Sequence, residues 1–177
     1  GLPRIDVGPG DEDGWRRVGM TWDVAEPVAQ DELSVGFDLG FEPDFWWAPH
    51  LAPEEGYVVG QHVFRSPALI AGRGPLVVTV VPDLDLVGRR PENPWFMDYD
   101  APRRKMWLGM VKTDIPEHVL FKKAAGLTFA PGKVELGFYV NVDEDGGGGG
   151  AGASAVLDPW AKASTFLWRR WGRPLYE

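Results

Sequence analysis

The chain contains no cysteine, which removes disulfides, thiolate metal sites and thiol catalysis from consideration across its 177 residues. Histidine is almost as scarce. His50, His62 and His118 are the only imidazoles, and none shows the i, i+4 pairing of the common helical zinc motif. Lys and Arg number 18 against 26 Asp and Glu, a net charge of −8. That balance counts against binding to nucleic-acid phosphates, which needs clustered cations. No run approaches the roughly 18 apolar residues of a membrane span, so no membrane contact is expected. A soluble chain, cytoplasmic or exported, is expected instead, and the lack of cysteine does not choose between the two. The opening Gly-Leu-Pro-Arg has neither an initiator Met nor a signal-peptide pattern, so the chain is expected to begin at a cleaved or chosen boundary. Nucleotide signatures are missing as well: there is no Gly-x-x-x-x-Gly-Lys-Ser/Thr, and no Gly-x-Gly-x-x-Gly between a strand and a helix. Ser66 precedes Pro67 and lacks the Gly-x-Ser-x-Gly elbow of a serine nucleophile.

What is abundant is glycine, proline and tryptophan: 23, 16 and 9 residues. So many turn formers suit short strands joined by turns rather than long helices. Val77–Val81 is the densest β-branched run, bracketed by Pro75 and Pro82, and reads as a buried central strand. The turn Gly72-Arg73-Gly74-Pro75 joins it to Ala68–Ala71 as a hairpin, and Tyr57–Arg65 is expected to feed in as a further strand. Residues 1–14 read as a surface arm and Trp15–Thr21 as a first strand. Leu33–Leu39 alternates cleanly between apolar and polar. Phe41–Pro53 reads as a long aromatic loop or a short edge strand, and Val87–Arg104 as irregular. Strands resume at Lys105–Lys112, His118–Lys123 and, weakly, Leu127–Phe129. In Lys133–Val142, Val134, Leu136, Phe138 and Val140 fall on one side and Glu135, Gly137, Tyr139 and Asn141 on the other.

One helix is expected at 158–177, with Asp158 as N-cap, Pro159 at the first position and Gly172 closing the last turn. The sum is an antiparallel β-sandwich over 15–157, with a mobile Gly-rich loop at 146–154 and one C-terminal helix.

Several groups are candidates for chemistry. Asp83 and Asp85 follow the central strand two apart, and would face the same way if it continued. Asp98 and Asp100 lie in a Trp/Tyr-rich segment. Glycoside hydrolysis needs such carboxylate pairs, although Asp beside Pro is also ordinary turn chemistry. The acidic run Asp143-Glu144-Asp145 lacks the bidentate Glu of the helix-loop-helix calcium loop. A looser calcium site at Asp143 and Asp145 stays open beside a solvated turn, and no other cofactor is implied. The aromatic clusters are the strongest signal. Trp46, Trp47, Trp95 and Tyr99, with His62 and Arg65, are read as an aromatic platform for sugar rings, whose apolar faces stack while their hydroxyls bond nearby polar groups. The alternative is that these rings plug the ends of the sandwich. Trp160, Trp168 and Trp171 place rings around much of the terminal helix, which suggests contact with another domain or chain.

Two stretches carry a family likeness. They are His62-Val63-Phe64-Arg65-Ser66-Pro67-Ala68 leading into Val77–Val81 and Pro82-Asp83, and Phe166-Leu167-Trp168-Arg169-Arg170-Trp171-Gly172-Arg173-Pro174-Leu175-Tyr176. With these the chain resembles the N-terminal β-sandwich of multi-domain carbohydrate-active enzymes, bacterial glycoside hydrolases or polysaccharide lyases. In that family the sandwich supports a glycan cleft as an accessory domain, while a following helical (α/α) domain supplies the acid and base. The resemblance therefore implies a noncatalytic domain and carries no catalytic position onto this chain. A freestanding glycan-binding module and a small glycoside hydrolase are the alternatives.

Overall fold

A computed structural model describes residues 1–29, 33–47, 68–87, 96–100, 103–109, 128–144 and 154–176. The expected strands Tyr57–Arg65 and His118–Lys123, and the glycine run 146–150, lie outside these residues, as do His50, His62 and His118.

The chain is mainly β, with antiparallel sheets and one long C-terminal helix. Arg4–Gly10 (β1) and Arg16–Val24 (β2) form a hairpin. The expected surface arm is thus an edge strand. Its turn is built by Asp11, whose Oδ1 accepts from the backbone N–H of Asp13 at 3.0 Å and of Trp15 at 2.7 Å, the side-chain turn that Asp favours. After Val28–Ala29 (β3) and Ser34–Asp38 (β4) comes Phe45–Trp47 (β5), an edge strand rather than a loop. Leu69–Arg73 (β6) and Leu76–Pro82 (β7) are the expected hairpin.

Four further expectations are corrected. Strand β7 ends at Pro82, and Leu84–Val87 turns into a short helix (α1), so Asp83 and Asp85 do not alternate along one strand. The segment expected to be irregular holds a strand, Phe96–Asp100 (β8), paired with Lys105–Gly109 (β9). Thr128–Phe129 (β10) and Gly132–Asp143 (β11) follow, and the long helix α2 spans Ser154–Leu167. It starts a turn before Asp158 and leaves Pro159 inside, where the ring removes one intrahelical hydrogen bond. Nor does Gly172 stop the helix. It lies in helical conformation between a π-turn at Trp168–Gly172 and a 3-10 turn at Arg173–Leu175, because it serves as a seat for Trp168: a Cβ there would stand 2.5 Å from Trp168 Cε3.

The main sheet has six strands in the order β1-β2-β11-β7-β6-β5, so the Val77–Val81 run is interior as its composition requires. A three-stranded sheet, β4-β9-β8, and the pair β10-β3 complete the described strands. Alternation along the main sheet sends Met20, Trp22, Val80, Leu136 and Phe138 to one face, where Leu33, Met106 and Phe129 of the smaller sheets close the core. On the opposite face Ile70, Val77, Val81 and Tyr139 meet Ala163 and Phe166 of α2 and Trp171 of the π-turn that follows it. Ala163 is fully buried, its small side chain letting the helix lie close to the strands. Phe166 stacks on Trp15 with centroids 4.3 Å apart, and Trp171 meets Tyr139 edge-on at 5.8 Å. Both are favoured aromatic geometries that add to the area they bury. At the far edge, buried Gly72 pairs with Phe45, and the Phe45 ring fills the space a side chain at 72 would need.

Candidate functional site

Helix α2 covers only part of its face of the main sheet. The other part, formed by β1, β2 and the first half of β11, stays open among the described residues. The register stacks its outward side chains in rows. Arg4, Thr21 and Glu135 make one row, and Asp6, Gly19 and Gly137 the next. Arg17 lies beside Tyr139 in the row after that. A shallow pocket of about 340 Å³ opens here, lined by Arg4, Asp6, Arg17, Thr21, Lys133 and Glu135 among others. That size is at the lower end for small-ligand sites.

Arg17 is the organised member. Its Nε donates to Asp83 Oδ2 at 2.8 Å. The Asp83 side chain is only 3% exposed, against 42% for Arg17. Asp83 in turn caps α1, with Oδ1 accepting from the N–H of Asp85 at 3.2 Å, while its own N–H donates to Gly137 O at 2.9 Å. Partial burial works against the Arg17 charge, but the hydrogen bond and field of Asp83 outweigh it and raise the guanidinium's pKa above its ordinary value. The two amino groups lie along the glycine row. A Cβ at Gly19 would stand 3.0 Å from Arg17 Nη1, and one at Gly137 3.4 Å from Nη2. Beside them Lys133 Nζ pairs with Glu135 Oε1 at 3.1 Å. Among the described residues, and counting Asp83, the cations Arg4, Arg17 and Lys133 are balanced by Asp6, Glu135 and Asp83.

Sequence reading missed this site. Its residues come from three strands far apart in the chain, and the one available signal was glycine inside strands at 19 and 137, which marks close approach of another group.

Among the described residues, those that the sequence did single out are dispersed. Asp83 is buried in the Arg17 pair. Asp85 is exposed and turned the other way, its Oδ1 accepting from Trp171 Nε1 at 2.9 Å and its Oδ2 from Arg170 at 3.3 Å. Asp98 and Asp100 occupy alternate positions of β8, opposite Trp107 and Lys105, and Tyr99 lies between them. The side chains of Asp98, Tyr99 and Asp100 are outside the described residues, as are Trp95, His62 and Arg65 altogether. Trp46 and Trp47 sit half-buried on opposite faces of edge strand β5, one packed on each core cluster. Trp160 and Trp171, expected at a contact with another domain or chain, pack onto the chain's own sheet. Trp168 alone stays 51% exposed, against Tyr176 at 5.5 Å between centroids. Asp143 Oδ2 receives Lys162 Nζ at 3.2 Å, and Asp145 lies outside the described residues. Comparisons with protein-family models, curated proteins and solved structures find no match for the chain.

Proposed function

We propose that the chain is a noncatalytic β-sandwich domain or subunit of a carbohydrate-active enzyme, of glycoside hydrolase or polysaccharide lyase kind, that supports glycan binding. The observation that carries this reading is the engagement of Asp83 and Asp85. One holds Arg17 and caps α1, and the other holds Trp171 and Arg170. A carboxylate pair for glycoside hydrolysis must flank one bond with its oxygens available to it. These two are committed to the junction between sheet and helix, which supports a binding role over hydrolysis by this pair.

The test combines two measurements on the purified chain. Affinity electrophoresis through gels containing neutral or acidic polysaccharides is expected to show retardation. Assays for new reducing ends and for unsaturated uronate products are expected to show none. Product formation abolished by Asp98→Asn or Asp100→Asn would replace this reading with the small-enzyme one.

A second reading concerns the helix end, favoured by the exposure of Trp168, Leu175 and Tyr176 at 51%, 82% and 81%. Clustered apolar exposure of this kind suits contact with another domain or chain. Trp168→Ala with Tyr176→Ala is expected to release a copurifying partner, and unchanged copurification would dismiss this surface.

A further inference from the structure

We infer that the open half of the main sheet is a binding site for a neutral sugar unit, held by Arg17 together with Arg4 and Thr21. This rests on the carbohydrate reading above and moves its binding surface from the aromatic loops to the glycine-floored pocket.

Four observations lead there. First, Arg17 is fixed before any ligand arrives. Its Nε is held at 2.8 Å by a carboxylate that is itself almost fully buried, so little side-chain freedom remains to be lost on binding. Second, the side chains that would crowd it are absent. Gly19 leaves room for Nη1 to lie along the strand surface, while the space over Gly137 is taken chiefly by Leu86 and Asp83, and the Arg17 amino groups are left over after Asp83 has taken Nε. A planar guanidinium with two such amino groups can donate to two neighbouring hydroxyl oxygens at once.

Third, the pocket holds both kinds of partner that a hydroxyl needs. Arg4 and Arg17 donate, Asp6 accepts, and Thr21 does either. Fourth, among the described residues the charges cancel once Asp83 is counted. An anion would meet Asp6 and Glu135, and a cation would meet Arg4 and Lys133. Each is opposed by a like charge at short range. An apolar ligand would strip water from charged groups without replacing their hydrogen bonds. A polyhydroxylated ring of no net charge meets none of these penalties.

The test is isothermal titration of the whole chain with cellohexaose, xylohexaose and mannohexaose as neutral probes and hexagalacturonate as the acidic one. Arg4→Ala, Thr21→Val and Gly19→Ala are compared with the parent. Arg4 and Thr21 lie at the surface, and Gly19→Ala displaces only the tip of Arg17, so all three should fold. Thermal melts check that they do. Binding of at least one neutral probe is expected, little altered by added salt, and weakened about tenfold or more by Arg4→Ala and by Gly19→Ala. Neutral-probe binding that all three variants leave intact would overturn this site while sparing the carbohydrate reading. Binding of hexagalacturonate alone would overturn the neutral class. Failure of all four probes, extended to the polysaccharide gels, would overturn both.

Discussion

Arg17 and Asp83 stand 66 positions apart in the chain, yet Nε of one donates to Oδ2 of the other at 2.8 Å across the main sheet. The two ends differ in surroundings, the carboxylate buried and the guanidinium half in water. Removing one partner of a fully buried pair costs about 3–5 kcal/mol, and water reaching Arg17 reduces that to about 2 kcal/mol for Arg17→Met. Asp83→Asn keeps a cap for α1 and is expected to lose about 1 kcal/mol. Urea denaturation followed by circular dichroism gives both numbers. An Arg17→Met variant as stable as the parent would show that the pair contributes nothing to folding.

Gly72 and Phe45 make a second test. The ring of Phe45 already fills the space of a Cβ at 72, and Leu76 O would stand 3.2 Å from it. Gly72→Ala must push β5 off the sheet edge, and overpacking of this kind costs about 1–3 kcal/mol. A lowered melting temperature with a red-shifted tryptophan emission, as Trp46 and Trp47 gain water, is the expected result.

Asp85 separates a structural carboxylate from a catalytic one. Its bonds to Trp171 and Arg170 are exposed, so Asp85→Ala is expected to lose no more than about 1 kcal/mol of global stability. Locally the effect is larger. Amide exchange in residues 168–172 should quicken, while the glycan binding proposed for the open face should stay unchanged.

Tyr139 carries a pH dependence. Burial raises its phenol pKa above the ordinary value, with the negative charge of Asp83 adding to this and Arg170 and Arg17 opposing it. A raised pKa means that the folded chain holds the proton more tightly than the unfolded one. The resulting stability is therefore complete below the unfolded pKa, near pH 10, and falls as pH climbs through the folded value. Urea midpoints should drop above about pH 10. Tyr139→Phe, which keeps a ring against Phe166, should flatten that part of the profile.

Local order was legible where one segment decides it. The β6–β7 hairpin follows from a Gly-Arg-Gly-Pro turn beside a β-branched run, and the core side of β11 from strict alternation of Val134, Leu136, Phe138 and Val140. β8 was hidden because prolines at 91, 94 and 102 mask the short alternating run between them. The start of α2 was misplaced because Asp158-Pro159 imitates a helix opening, while Ser154 begins one. Asp83 could not be read at all. Its burial depends on Arg17, a residue brought opposite only by the order β2-β11-β7. The pocket was invisible for the same reason, its lining being drawn from β1, β2 and β11.

Strand β11 runs unbroken from Gly132 to Asp143, and it begins beside the uncovered pocket and finishes beneath α2. Selection therefore acts on one ribbon under two regimes. Lys133 and Glu135 answer to the ligand proposed for the pocket, whereas the buried Tyr139 and Asn141 answer to packing. In a saturation library scored for folding alone, positions 133 and 135 should accept more substitutions than positions 139 and 141 of the same face.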